Sequence, residues 1–401
     1  MNLIFRRPLL RPLKSYALNL RGMSDLNVCC PSLLLKRNVG LLYPVESCQL
    51  PHDRAVSFFA FSGKEPWKKA VSQAERIVGY PTSFMSLRCL LSDELASVAL
   101  HLRKLVGTKH PLLQTAKNFL NDGSHSIQMR GLVVLLVAKA AGPSSSVMDP
   151  KVPFVSGIHP SQRTLAEITE MIYTAFLVHR GVFDLSNILP SDGPLKDIEF
   201  GNKMAVLSGD FLLASSSSAL ANLRNTLVVD LISQSIDHMT QAAFDAMNYE
   251  KLNHEPSVKS FDEWKDYVFH SAGSLIGHSC KSALLLTNQR QEFIDSAFEF
   301  GKNLAWAQQL HQDLIQIRKE PVDGYNYLMS SPVILQNEVS PVKGLSHSEI
   351  LQALKGGSAI EKAKDLCHHY VGTAKEAIKE FPNQEAKGAL NNLLHALTSF
   401  R

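Results

Sequence analysis

Residues 165–184 read LAEITEMIYTAFLVHRGVFD. Leu165, Ile168, Ile172, Phe176, His179 and Phe183 recur at intervals of three and four, so a helix over this stretch places all six on one face. The spacing therefore predicts a helix that runs to Asp184 and turns an apolar stripe, ending in a histidine and a phenylalanine, toward a core.

The same period extends on both sides of it. Comparable stripes occupy 91–106, 110–121, 203–222, 224–247, 292–316, 358–379 and 384–398. Breaks fall at Gly142-Pro143-Ser144, between Pro190 and Pro194, at Glu255-Pro256-Ser257, at Glu320-Pro321 and at Gly356-Gly357. No alternating strands and no Asn-Gly hairpin turns interrupt them. Ser215–Ser218 lies inside a stripe and is not a linker. Helices joined by short connections pack antiparallel, so the expectation is an all-α, single-domain helical bundle over residues 63–401.

Composition supports a core of that size. The chain has 401 residues and is 45% hydrophobic. Its formal charge of +4 is small and not concentrated in the body, which argues against a nucleic-acid partner. The apolar run Gly131–Ala138 is followed by Lys139 and falls short of the ~20 residues a membrane helix needs, so no transmembrane segment is expected. Mean hydropathy is −0.03. The six cysteines form no CxxC pair, which excludes the common zinc spacings and a disulfide framework and fits a reducing compartment. Cys367-His368-His369 could ligate a metal by residue type, but neighbours on a helix point in different directions.

The first segment stands apart. MNLIFRRPLLRPLKSYALNLRGMS carries Arg6, Arg7, Arg11, Lys14 and Arg21, with no acid before Asp25. Arg-rich, acid-poor and interleaved with large apolar residues, residues 1–24 resemble a mitochondrial transit peptide, and the expected location is the matrix. Residues 25–62 show no sustained period and read as linker or weakly ordered chain.

Six landmarks in order carry a resemblance to a known family. They are MRGLVVLLVAKAAG (129–142), the 165–184 stretch, FGNKMAVLSGDFLLA (200–214), KSFDEWKDYVFHSAGSLIGHSC (259–280), FGKNLAWAQQLHQDLIQ (300–316) and YLMSSPVIL (327–335), followed by C-terminal helices from Ala363 onward. The chain resembles the trans-prenyl diphosphate synthases, which elongate an allylic diphosphate with isopentenyl diphosphate. In that family two helices each end in DDxxD, and the carboxylates hold Mg2+ against the departing diphosphate. The resemblance implies the family's helical fold.

At the matching positions the ligands are missing. The first motif is Arg180-Gly181-Val182-Phe183-Asp184 and the second is Gln312-Asp313-Leu314-Ile315-Gln316. Where the family carries six carboxylates, Asp184 and Asp313 remain and Arg180 adds a cation, so the formal charge of the motif residues goes from −6 to −1. A pairing of Arg180 with Asp184 one helical turn on is the expectation, and Gly181 costs the helix roughly 1 kcal/mol relative to Ala. The phosphate ligands fail too. The family's GGKxxRP becomes His125–Gly131, of which Arg130 alone survives; the RRGxP becomes Ser191–Leu195; the Lys-Thr pair falls at Ser271-Ala272. His179 reads as a core histidine and Asp210 as a structural hydrogen-bonding residue. Gln309 matches a family glutamine.

No catalytic, metal-binding or substrate-binding residue is therefore assigned to this chain, Arg130 being the one residual position of the phosphate-binding set. The resemblance implies a non-catalytic subunit paired with a DDxxD-bearing catalytic polyprenyl diphosphate synthase subunit. The assembly would be a heterotetramer, with Mg2+ on that partner, no cofactor on this chain, and a decaprenyl-length product destined for ubiquinone. Two alternatives stay open: a self-sufficient prenyltransferase using Asp184, Asp313 and Asp210, and a prenyl-lipid binding protein without catalysis.

Overall fold

The computed structural model describes residues 65–79, 108–112, 129–144, 154–185, 188–252, 260–317, 327–342 and 345–400. The transit-like segment, the linker, the 91–106 stripe, most of 110–121 and the remnant His125–Gln128 lie outside them. In chain order the helices are α1 (Glu65–Val78), α2 (Met129–Ala141), α3 (Pro160–His179), α4 (Leu195–Asn222), α5 (Thr226–Leu252) and α6 (Phe261–Val268). A π-helical turn, Phe269–Gly273, leads into α7 (Ser274–Leu285). Then come α8 (Gln291–Gln316), α9 (Ser331–Val339), α10 (His347–Gly356), α11 (Ala359–Ala377) and α12 (Gln384–Leu397). The described residues contain no strand; Val155 and Ile158 form an isolated bridge within a turn.

Local chemistry sets several of the starts. His159 caps α3 by accepting from Ser161 N–H, Gln162 returns a bond to the His159 N–H at 3.0 Å, and Pro160 supplies the first helical residue. Ser260 with Glu263 and Ser346 with Glu349 form capping boxes at α6 and α10. The Ser346 bonds hold the Glu349 carboxyl below its ordinary value.

The interior is built on α2, α7 and α8. In α2 every residue but Lys139 is buried, as its uniformly apolar sequence requires. α7 touches α2, α3, α5 and α8, and α8 in turn carries α11 and α9. α7 and α8 cross at Gly277 and Gly301, where a Cβ on Gly301 would stand 2.8 Å from the Gly277 Cα. α12 closes the other side against α1 and α2.

α4 differs from these. It packs along α3, and only a third of its most apolar window is buried. By length and composition it is long and apolar enough to cross a membrane, which the run-length reading of the sequence does not pick out. Two glycines let α4 approach its neighbours. A Cβ on Gly201 would lie 2.5 Å from the His110 ring, and one on Gly209 would strike the His179 imidazole.

Candidate functional site

The first motif is not helical. α3 ends at His179, Arg180 is its C-cap, and Val182–Asp184 run as irregular chain. The expected one-turn pairing of Arg180 with Asp184 needs a continuous helix and is corrected accordingly. The cause is a clamp from α4. Asn202 Oδ1 accepts the Phe183 N–H at 2.6 Å and its Nδ2 donates to the Phe183 carbonyl at 2.8 Å. Both backbone groups that a further helical turn would use are thereby occupied. His110 seats the clamp: its Nδ1 accepts from Leu112 N–H at 3.1 Å, so Nε2 carries the proton given to Asn202 Oδ1 at 3.0 Å. Gly181 is buried against this segment, with Leu112 N 3.5 Å from where its Cβ would be.

His179 and Asp210 meet across the same helix pair. Nε2 of His179 lies 3.2 Å from Asp210 Oδ1 and 3.2 Å from the Val206 carbonyl. Asp210 thus stands within ion-pair distance of His179, whose Nε2 is hydrogen-bonded to the Val206 carbonyl, and His179 is half-buried rather than a core residue.

The second motif lies at the end of α8. Gln312 and Asp313 are buried and Gln316 is partly exposed. The Asp313 carboxyl is bound into the fold. Oδ2 accepts from Trp264 Nε1 at 3.2 Å and from the Ser331 backbone N–H at 2.8 Å; Oδ1 accepts from Gln309 Nε2 at 2.7 Å. Ser331 is the first residue of α9, so this acid serves the positive end of a helix. Gln309 thereby acquires a role that its sequence context does not suggest.

Arg130 has no solvent exposure. Its guanidinium lies 3.2 Å from the Tyr173 ring centroid on α3, in the field of Glu170. Burial lowers its proton affinity, and the charge of Arg180 adds to that effect more weakly. Glu170 is itself buried and accepts the Gly131 N–H at 2.7 Å. Burial pushes its carboxyl up to about 7 against the opposing pull of Arg130. The surviving phosphate-ligand position is therefore a buried tie between α2 and α3 in this structure, made by Arg130 with Tyr173 and Glu170.

Other remnants are equally absorbed. In the Ser191–Leu195 segment, Asp192 accepts the Leu189 N–H at 2.9 Å and pairs with Lys109 at 3.3 Å. The Leu189 bond, with Lys109 behind it, holds the Asp192 carboxyl below its ordinary value. Ser271-Ala272 sits in the π-helical turn. Cys367 is buried with Sγ toward the Ala307 and Leu397 carbonyls, and burial pushes its thiol up to about 12. His368 and His369 are exposed, so the three do not converge.

These residues do not make a Mg2+ cradle. The Asp313 oxygens already accept three hydrogen bonds, Asp184 is off the helix, and Arg180 brings a cation to the first motif. Among the described residues no three His, Cys, Asp or Glu side chains are grouped to hold a metal. The partners that fix this outcome, Trp264, Ser331, Asn202, His110, Glu170 and Tyr173, are not legible from sequence, because they lie at distances along the chain that no motif spans.

Comparison with known proteins gives the lineage. Residues 111–323 match the polyprenyl synthetase family. The human protein named all trans-polyprenyl-diphosphate synthase PDSS2 is 43% identical over 357 residues, covering 84% of this chain and 90% of that protein. A Neurospora crassa protein named probable hexaprenyl pyrophosphate synthase, mitochondrial, is 30% identical, covering 81% of this chain and 86% of the other. Among solved structures, the apo form of an Arabidopsis medium/long-chain length prenyl pyrophosphate synthase superposes with a TM-score of 0.52 at 28% identity, covering 77% of this chain and 98% of that one. The ordered landmarks, the all-helical bundle and these matches lead to one conclusion: the chain belongs to the polyprenyl synthetase family.

Proposed function

We propose that this chain is the non-catalytic subunit of a heteromeric all-trans polyprenyl diphosphate synthase. The observation that carries the reading is Asp313. The one acid left in the second motif is spent on Trp264, Gln309 and the start of α9, and the first motif is folded away by Asn202. A prenyl transfer needs its leaving diphosphate neutralised by divalent ions, and those ions need several free oxygens on a rigid frame. In this proposal Mg2+ and the condensation of isopentenyl diphosphate belong to a DDxxD-bearing partner.

Exposed apolar side chains on α4 and α5 support a protein partner. Leu207 is 60% exposed, Leu227 62% and Phe244 59%. Apolar side chains of this size on neighbouring helices mark a surface that association covers. We take the occupant to be the catalytic subunit, in a heterotetramer in the mitochondrial matrix, with residues 1–24 as the import signal and the ubiquinone side chain as the destination of the product.

The test is reconstitution. The mature chain, its catalytic partner and the two co-expressed are each assayed for incorporation of isopentenyl diphosphate. No turnover by this chain alone, and long products only from the co-expressed pair, is the expected result. Turnover by this chain alone that is lost on Asp184→Ala would overturn it.

A further inference from the structure

Three histidines meet where α5 packs on the π-helical turn and α7. The His238 and His270 rings stack with centroids 4.6 Å apart, and the His238 and His278 centroids are 6.2 Å apart. Two buried serines link His238 to His278. His238 Nδ1 lies 2.8 Å from Ser274 Oγ, Ser274 Oγ lies 3.3 Å from Ser235 Oγ, and Ser235 Oγ lies 2.9 Å from His278 Nδ1. The chain of four groups thus crosses between α5 and α7 three times and ends on α7. His278 is buried, and its ring stacks on Phe298 of α8 with centroids 5.4 Å apart. His238 and His270 are half-buried at the rim. The three imidazoles and two serines take no part in the proposed synthase role, although the π turn that carries His270 also carries Ser271-Ala272, the place of the family's Lys-Thr pair.

We propose that this junction is a proton-sensitive latch between α5 and the π turn, closed while the imidazoles are neutral and loosened on acidification. His238 or His278, on gaining a proton, becomes a cation beside another imidazole, and buried His278 has little water to solvate the charge. The surrounding charges do not reverse this. On α5, Asp230 and Asp237 are the nearest acids, and each accepts from a glutamine one turn on, Gln234 at 2.9 Å and Gln241 at 2.8 Å. On α7, Lys281 opposes a second cation. On α8, Asp295 faces Lys281 at 3.4 Å and Glu299 faces Lys302 at 2.6 Å, so those acids are already matched.

Burial, then His238, then Lys281 bring His278 from 6.5 down to about 4; burial and His270 also lower His238. The sign follows from linkage. An opened junction takes up protons near 6.5 while the closed one resists until about pH 4, so closure is fully stable above pH 6.5 and weakens as pH falls from 6.5 toward 4. For His278 alone the opening constant rises about tenfold between pH 7.5 and pH 5.5.

The test is amide hydrogen exchange of the full chain at pH 7.5 and 5.5, corrected for intrinsic rates. Protection in 226–242 and 269–280 should fall about tenfold at pH 5.5, with α11 and α12 unchanged as internal reference. The double variant His238→Asn, His278→Asn keeps a side-chain amide for each serine and removes both titrations, so its fall should vanish. Should that variant not fold, His278→Asn alone decides, with an expected fall smaller than that of the unaltered chain. No fall in the unaltered chain, an equal fall in α11 and α12, or an undiminished fall in the variant that folds would each overturn the latch.

Discussion

Replacing Asp313 by Ala strands two donors, the Trp264 indole N–H and the Ser331 backbone N–H, in a buried position. A donor left unsatisfied in the interior costs on the order of 1–3 kcal/mol, so the expected loss is about 3 kcal/mol in a denaturant melt. The same experiment separates a structural acid from a metal ligand. The melting temperature of the lone chain should be unmoved by Mg2+ or by a chelator, because a bound ion would raise it by mass action. A chelator that lowers the melting temperature of the unaltered chain would refute the structural reading of Asp313. Arg130 makes the companion case. It occupies a family phosphate-ligand position, yet the neighbours that retire it, Glu170 and Tyr173, come from a different helix. The loss of ligands is legible residue by residue, whereas the new uses of Arg130 and Asp313 are not, because both are made by tertiary contacts.

At the level of elements, the stripes at 292–316, 358–379 and 384–398 lie within a residue or two of α8, α11 and α12. Their period is set by burial on one face, and that is written in the sequence. The end of α3 is not. Phe183 continues the apolar spacing, and what stops the helix is Asn202, 19 residues later. Glycines divide in a similar way. Ala in place of Gly in a helix gains roughly 1 kcal/mol of propensity. At Gly301 the added Cβ meets the Gly277 backbone, which has no rotamer to change. Overpacking there costs about 1–3 kcal/mol, so Gly301→Ala should be net destabilising and should loosen α7 from α8. Gly372 and Gly388, with nothing within 4 Å of an added Cβ, serve as controls, and Ala at either should stabilise by about 0.5–1 kcal/mol. Thermal melts of the three variants decide the matter; a stabilised Gly301→Ala would mean the two helices are free to part.

For the whole molecule, the bundle and its lineage are readable from six landmarks in order, since a fold survives when its core periodicity survives. The exposed side of α4 is less so, because a half-covered apolar helix and a core helix share the same pattern until neighbours are in place. Leu207→Glu tests that surface. At 60% exposure it should change the stability of the lone chain by no more than about 0.5 kcal/mol. In a co-purification with the catalytic partner it should abolish the complex; a complex that survives unchanged would place the interface elsewhere.

On the proposed non-catalytic reading, the Asn202 clamp bears on any attempt to build the family's metal-binding motif into this chain. Acids placed at 180 and 181 would sit on the cap and turn that end α3, just before a residue, Phe183, whose amide and carbonyl are already taken. On that reading such a motif would require releasing that grip first, and with it the seat of His110, so the engineering runs through α4 rather than through the motif itself.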